Sequence, residues 1–317
     1  MSARFSAACG ATAETAAASA AGSTAGSTLT ALLRSLGQIV LQAHAGTGAC
    51  LLAALALTGW RLALAALLGA AAANVCALVA GHADTTIRDG LAGYNGALAA
   101  LAAFTFVGDT GTAAALALIA GGASAWIAGP MTRWLSRVRL GLYSAPCLVA
   151  TWIWLPLHPG SAPVASANGV APHGALHAAA AVLSGLAQTT FASGAAAGLC
   201  VLAGLAWSSR RAAAWALGGA ALASALELAC GASPDAFGAG LAGFNGALAM
   251  LAVCALGMRA AICATMLAAV LHLAAMRCGL PALTAPFVLA SWSAHAAARR
   301  LPALFASSAP SEESTAR

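Results

Sequence analysis

Residues 90–102 read GLAGYNGALAALA, and residues 240–252 read GLAGFNGALAMLA. The two stretches differ at two positions, one of which exchanges Tyr94 for Phe244, and they begin 150 residues apart in a chain of 317. A match of this length at about half the chain indicates that one apolar unit was duplicated and fused. We therefore expect a fold built from two related halves.

The composition points to a membrane environment. Hydrophobic residues make up 61% of the chain and charged residues 7%, whereas soluble domains carry about 25% charged residues. So few charges cannot cover a water-facing surface, which indicates an integral membrane protein in contact with lipid. The basic residues are all arginines and give a net charge of +6. We attribute this charge to membrane topology and expect no nucleic-acid partner.

Motifs for catalysis or for a bound cofactor are absent from the sequence. None of the nine cysteines forms a Cys-x-x-Cys pair, and there is no His-Glu-x-x-His, Walker or nucleophile-elbow motif. Most cysteines lie in apolar segments, where they are expected to pack as small hydrophobic residues. We therefore expect a protein that is not an enzyme, with no catalytic residue, no metal site and no cofactor.

The apolar segments predict an all-α polytopic membrane protein with ten transmembrane helices and two half-membrane re-entrant helices. Two segments, 29–42 and 175–192, fall short of the about 20 apolar residues that a span requires. The ten predicted spans are 48–60, 62–81, 89–107, 111–131, 139–156, 194–208, 212–231, 237–256, 260–277 and 281–298. The predicted divisions are a flexible amino-terminal tail (1–28), a first repeat (29–157), a linker (158–174), a second repeat (175–300) and a cytoplasmic tail (301–317).

Five spans per half is an odd number, so the two halves must face opposite ways across the bilayer. This arrangement is an inverted-topology repeat with a pseudo-two-fold axis in the membrane plane. With both termini placed in the cytoplasm, only Arg61 and Arg277 fall outside, and the other twelve arginines fall inside. That distribution follows the positive-inside rule and favours the predicted topology.

Polar residues recur at matching positions inside the apolar segments. The stretches 36–41 and 186–191 contain Gln38 followed by Ile39 and Gln188 followed by Thr189. A helix that ends in mid-membrane leaves carbonyl oxygens without partners, and these oxygens can accept hydrogen bonds from a solute. A third repeated element carries a proline followed five residues later by a hydroxyl, which is Thr151 in one half and Ser291 in the other.

Three further polar residues are expected to have structural roles. Asn95 and Asn245, which follow the aromatic residue of each duplicated motif, are expected to tie helices together. Glu227 is the only acid that the prediction places inside a span, and the matching region of the first half has none. We expect Glu227 to have a local structural partner.

At these residues the chain resembles the urea transporter family. The resemblance rests on the duplicated motif at 90–98 and 240–248, on the stretches that end in the two glutamines at 33–38 and 183–188, and on the proline-to-tryptophan segments at 146–152 and 286–292. It implies a homotrimer with one pore per subunit at the interface of the two halves. It also implies channel-like passage of urea without obligatory ion coupling. A bacterial inner membrane is the expected location.

The resemblance also assigns roles to individual residues. Gln38 and Gln188 are implied to be polar filter residues, and Thr151 and Ser291 to be central hydroxyls. The implied slot walls are Leu41, Tyr94, Phe191 and Phe244, with Leu98 and Leu248 packing at the slots. The chain departs from the family pattern at Leu41, usually Phe, at Gln188, often an acid, and at Ser291, usually Thr.

These features predict a passive channel for urea, a planar and neutral solute. A channel for another small neutral solute, such as ammonia, water or a short amide, is the main alternative. None of the seven histidines is duplicated as an ammonia pore would require, and the Asn-Pro-Ala repeats of water channels are absent. An ion-coupled secondary transporter is a further alternative, but it would need acids near the midplane.

Overall fold

The computed structural model describes residues 26–157 and 174–300, and these are helical with no strand among them. The first helix, α1, covers residues 26–38. The other helices of the first half are α2 (Ala45–Thr58), α3 (Trp60–Val79), α4 (Asp84–Arg88), α5 (Tyr94–Phe106), α6 (Thr110–Arg137) and α7 (Ala145–Trp154). Those of the second half are α8 (Ala175–Gln188), α9 (Ala195–Ser208), α10 (Arg210–Ala229), α11 (Pro234–Gly238), α12 (Phe244–Val253), α13 (Met258–Arg277) and α14 (Ala285–Arg300).

Three of the predicted divisions fall mainly outside this part of the chain. The predicted tail up to residue 25, the predicted linker up to residue 173 and the predicted tail 301–317 lie outside the described residues. Residues 26–28, which the sequence placed in the amino-terminal tail, already belong to α1. That helix ends at residue 38, four residues before the predicted end of the short segment.

Two predicted spans are interrupted. The sequence predicted continuous helices over 89–107 and 237–256, but residues 90–93 and 240–243 form turns, and the helices begin at Tyr94 and Phe244. Gly90 and Gly240 have φ values of +78° and +80°, a conformation that glycine adopts without strain. A Cβ at either position would also lie 2.4 Å from backbone atoms of α1 or α8. The motif therefore breaks the helix where two chain segments touch.

Among the described residues, four helices are long and apolar enough to cross a bilayer, and these are α3, α6, α10 and α13. The other six predicted spans contain shorter helices of 10 to 16 residues. Large apolar side chains cover the outside of the molecule, and examples with more than half of their surface exposed are Trp60, Ile119 and Trp207. An apolar exterior of this extent is typical of a protein that is surrounded by lipid.

Helices α2 and α9 pack side by side between the two halves. The Ser193 N–H, just before α9, donates to the hydroxyl of Thr58 at the end of α2, with an N···O distance of 3.0 Å. The Ser208 hydroxyl, at the end of α9, donates to the side-chain oxygen of Gln42 just before α2, at 2.7 Å. Each helix end thus meets the start of the other helix, so α2 and α9 run antiparallel.

Candidate functional site

A central cavity lies where the ends of six helices meet. It is bordered by the carboxyl ends of α1 and α8 and by the amino ends of α5, α7, α12 and α14. The cavity has a volume of only about 10 Å³ and is therefore narrow. Its lining consists of Gln38, Ile39, Leu41, Tyr94, Leu98, Tyr143, Ser144, Thr189, Leu248, Thr284 and Phe287.

Helices α1 and α8 end in the same way beside this cavity. Leu41 and Phe191 take left-handed backbone conformations, with φ values of +61° and +60°, which are rare for residues other than glycine. The chain then turns back, and the N–H of Gln42 donates to the Gly37 carbonyl at 3.0 Å. Strained backbone of this kind persists only where the surrounding packing holds it, and such strain is common at functional sites.

These helix ends leave acceptors free. No hydrogen bond within the described residues uses the carbonyl oxygens of Ile39 and Val40, or those of Thr189 and Thr190. Each glutamine adds its side-chain oxygen as a further acceptor, since only its Nε2 group forms a hydrogen bond. Gln38 donates to the Asp89 carbonyl at 3.0 Å, and Gln188 donates to the Ala239 carbonyl at 3.2 Å. Each helix end therefore carries oxygen acceptors that form no hydrogen bond with the described residues.

The expectation that the two asparagines tie helices together is confirmed. Asn95 Nδ2 donates to the Tyr143 carbonyl at 3.2 Å, and its Oδ1 accepts from the Cys147 N–H at 3.1 Å. Asn245 makes the equivalent bonds, to the Leu283 carbonyl and from the Phe287 N–H, each at 3.1 Å. Each asparagine thereby fixes the amino end of α7 or α14 against α5 or α12.

Hydroxyl groups from the two halves meet in the cavity. The Oγ of Ser144 lies 2.7 Å from the Oγ1 of Thr284, and both residues directly precede the helices α7 and α14. Two tryptophans also form hydrogen bonds between the halves. Trp152 Nε1 donates to the Pro281 carbonyl at 2.9 Å, and Trp292 Nε1 donates to the Gly141 carbonyl at 2.8 Å.

The cavity brings together seven of the twelve residues that the sequence predicted for the site. These are Gln38, Ile39, Leu41, Tyr94, Leu98, Thr189 and Leu248. The other five lie outside its lining. Gln188, Phe191 and Phe244 are half-buried, whereas Thr151 and Ser291 are fully buried within α7 and α14. The Oγ of Ser291 has no hydrogen-bond partner among the described residues, and Thr151 Oγ1 lies 3.9 Å from the Cys147 sulfur.

Four lining residues were not predicted, and these are Tyr143, Ser144, Thr284 and Phe287. The signal for two of them was present in the sequence. Ser144 and Thr284 are hydroxyl residues two positions before the repeated proline, just as Thr151 and Ser291 are hydroxyl residues five positions after it. The contact between Tyr143 and Phe287, an edge-to-face pair with centroids 5.2 Å apart, crosses from one half to the other and has no such signal.

The lining contains no ionisable acid, arginine or histidine. Within the described residues, no group of three or more His, Cys, Asp or Glu side chains is placed to hold a metal ion. Residues 29–299 match the family model described as urea transporter. The chain belongs to the urea transporter family. Its members are transporters rather than enzymes, and membership implies urea transport. No curated protein matches the chain.

For a urea transporter, the apolar helices have a direct interpretation as the part that is embedded in the membrane. The central cavity supplies oxygen acceptors between apolar side chains such as Leu98 and Leu248, both buried.

The polar pair Glu227 and His272 lies outside the lining of the central cavity, with His272 Nδ1 3.0 Å from a Glu227 carboxylate oxygen. The expectation of a local structural partner for Glu227 is therefore confirmed.

Proposed function

We propose that the protein is a passive channel that conducts urea through a narrow slot between its two halves, with the central cavity as the middle of that slot. The observation that carries this proposal is the uncharged cavity at the meeting point of six helix ends. Discontinuous helices that meet in the interior form the solute sites of many membrane transporters. Gln38 and Gln188 act as filter residues in this proposal.

The chemistry of urea fits the lining. Urea is flat and neutral, with four N–H donors, and burial of such donors without partners costs several kcal/mol. The free carbonyl oxygens after α1 and α8, the Gln38 oxygen and the Ser144–Thr284 hydroxyls can replace water as acceptors. Apolar walls at Leu41, Tyr94, Phe191 and Phe244 exclude hydrated ions, because these walls cannot offset the desolvation of a charge.

Passive conduction is proposed because the lining of the central cavity carries no coupling group. A transporter that is driven by protons or sodium usually carries acidic residues in its transport path. The lining of the central cavity contains no Asp, Glu, Arg or His. The buried hydroxyls of Thr151 and Ser291 act further along the slot in this proposal. The fully buried Ser291 oxygen has no hydrogen-bond partner among the described residues.

An inverted repeat with ten membrane crossings is part of the proposal. Antiparallel packing of the matching helices α2 and α9 supports it, as do the reciprocal bonds of Trp152 and Trp292. The shorter helices would complete their crossings with non-helical chain, which is tolerated at membrane depth when it is buried in protein. Helices α1 and α8 are then the two re-entrant segments.

The cytoplasmic side is proposed from the arginines. Arg299, at the end of α14, donates to the carbonyl of Arg139, just after α6, at 2.7 Å. This bond supports the placement of both segments on one side, as the positive-inside rule requires. Both termini would then be cytoplasmic. Assembly as a homotrimer and residence in a bacterial inner membrane are proposed from the family resemblance.

The decisive experiment is a stopped-flow measurement of urea entry into proteoliposomes, with protein-free vesicles as the control. We expect fast urea flux that is the same with and without a proton or sodium gradient. A flux no faster than that of protein-free vesicles would refute urea conduction, and dependence on a gradient would refute passive flow. Parallel measurements with water, ammonia and acetamide test the channel for another neutral solute.

A further inference from the structure

The two halves hold their matching aromatic residues by different means. The Tyr94 hydroxyl donates to the Tyr143 carbonyl, so the first ring is tethered directly to the chain before α7. Phe244 has no hydroxyl and makes no such bond. Its neighbour instead is His272 of α13, whose ring meets the Phe244 ring edge to face, with centroids 5.5 Å apart and planes at 77°.

His272 is in turn fixed by Glu227 of α10. The Nδ1 atom lies 3.0 Å and 3.1 Å from the two carboxylate oxygens, and both side chains are almost fully buried. A buried polar pair of this kind is rarely better for stability than apolar packing. The first half has apolar packing at the matching position. There Ala77, the counterpart of Glu227, packs with Ala73, Ala92 and Ala125. The fold therefore does not require the pair.

A second cavity beside the pair gives the His272 ring room to move. This cavity of about 210 Å³ is bordered by Glu227, His272 and Arg277, which are the ionisable residues of its lining. Arg277 is occupied elsewhere, because its Nη2 donates to the Cys230 carbonyl at 2.7 Å. Without the carboxylate, the His272 ring could swing into this cavity and leave the face of Phe244.

We infer that His272, held by Glu227, positions the Phe244 ring and so sets the width of the slot on the side of the second half. This inference rests on the proposed function, in which Phe244 is a slot wall. His272 and Glu227 are positioning residues, since they act through Phe244 and line no part of the central cavity. A displaced ring would widen the slot, so urea would be discriminated less well from thicker, methylated ureas.

The test compares permeabilities to N,N′-dimethylurea and to urea in the same proteoliposomes. After the permeability of protein-free vesicles to each solute is subtracted, this ratio does not depend on how much protein is folded, so a merely structural role would leave it unchanged. A single added carbon changes discrimination in a fitted site by about 10-fold or more. We therefore expect the ratio to rise at least about threefold in Glu227→Ala and in His272→Ala. Glu227→Gln keeps an oxygen acceptor for Nδ1–H and should retain the parent ratio.

A rescue variant tests the route through Phe244. Leu283 has nearly the same φ as Tyr143, +48° against +46°, so the hydroxyl introduced by Phe244→Tyr should reach the Leu283 carbonyl. Added to Glu227→Ala, this change should restore the parent ratio. If the single alanine variants do not fold, Glu227→Ala combined with His272→Leu replaces the polar pair by apolar side chains and should show the raised ratio.

The outcomes separate the inference from the function on which it rests. Absence of urea flux in the parent protein would refute the proposed function. Urea flux with an unchanged ratio in the Glu227 and His272 variants would refute the positioning role. A raised ratio that Phe244→Tyr does not restore would refute action through Phe244. Ser124→Ala, which removes a buried hydroxyl bonded within α6, is the matched control and should leave the ratio unchanged.

Discussion

The hydroxyls of Ser144 and Thr284 lie 2.7 Å apart in the central cavity, although 140 residues separate them in the chain. Each residue precedes the helix that ends its half, so the contact joins equivalent points of the two repeats. Each hydroxyl has one proton to donate and lone pairs to accept with. After the mutual bond is made, one proton and several lone pairs remain for a solute in the cavity.

Removal of either hydroxyl is expected to slow urea. Ser144→Ala and Thr284→Val should each reduce urea permeability about 3- to 10-fold, because a net hydrogen bond contributes about 1 kcal/mol. Stopped-flow measurements on proteoliposomes with matched protein content would show this. Ser136→Ala, which removes an exposed hydroxyl bonded to the Arg133 carbonyl, should leave permeability unchanged. Equal permeability in all variants would exclude the Ser144–Thr284 pair from the path.

A charge at either glutamine is expected to impair conduction. In Gln38→Glu the carboxylate loses the donor that now bonds the Asp89 carbonyl at 3.0 Å and brings a charge to an uncharged cavity. We expect urea flux to fall at least about 10-fold, since such a group is costly to bury. Gln188→Lys should act in the same direction, because it places a charge at the matching carboxyl end of α8. Cys147→Ala, a buried change outside the cavity lining, should keep parent flux, and similar flux in all three variants would discredit the filter assignment.

Substitution of the motif glycines should prevent folding. Gly90→Ala and Gly240→Ala would place a methyl group 2.4 Å from backbone atoms at a positive φ. Gly81→Ala has the positive φ without the collision, so it should cost only about 1 kcal/mol in the free energy of unfolding. Size-exclusion chromatography in detergent would measure the folded fraction. A normal monodisperse yield for Gly90→Ala would contradict the close contact of the motif with α1.

The cap of α6 should make stability depend on pH. The Thr112 N–H donates to the Asp109 carboxylate, which lowers the pKa of that carboxyl below its ordinary value. A lowered folded-state pKa stabilises the fold above the unfolded pKa, and this stability is lost as the pH falls through the folded value. Asp109→Ala should therefore lower the melting temperature more at pH 7 than at a pH below the lowered folded-state pKa, where the carboxyl is protonated. An equal loss at both pH values would exclude a charged cap.

The inverted topology predicts opposite accessibility for two matching turns. Cys278 follows α13 and is exposed, and the matching residue after α6 is Val138. In a background that lacks the exposed cysteines Cys230 and Cys263, a membrane-impermeant maleimide added to intact cells should label Cys278. It should not label a cysteine introduced as Val138→Cys when Cys278 is removed as well. Permeabilised cells should label both. Labelling of both positions from the outside would rule out the inverted repeat.

The sequence predicted part of the cavity lining but not the interruption of two spans. Duplication marked Gln38, Tyr94 and Leu98 as matching positions, and all three line the central cavity. The continuous spans predicted over 89–107 and 237–256 were wrong. Hydropathy does not distinguish a helix from a turn that is itself made of apolar residues and glycine. The left-handed backbone of Leu41 and Phe191 could not be predicted either, since neither residue type favours positive φ.

By itself, the sequence determined that the chain is apolar enough for a membrane, that it contains one unit twice, and which polar residues recur in both copies. These properties are carried by composition and by spacing along the chain. Only the tertiary structure decided that Ser144 meets Thr284, that six helix ends surround one cavity, and that His272 of α13 joins Glu227 of α10 beside Phe244. Such contacts depend on how separate helices are packed against one another, and residue spacing does not record that packing.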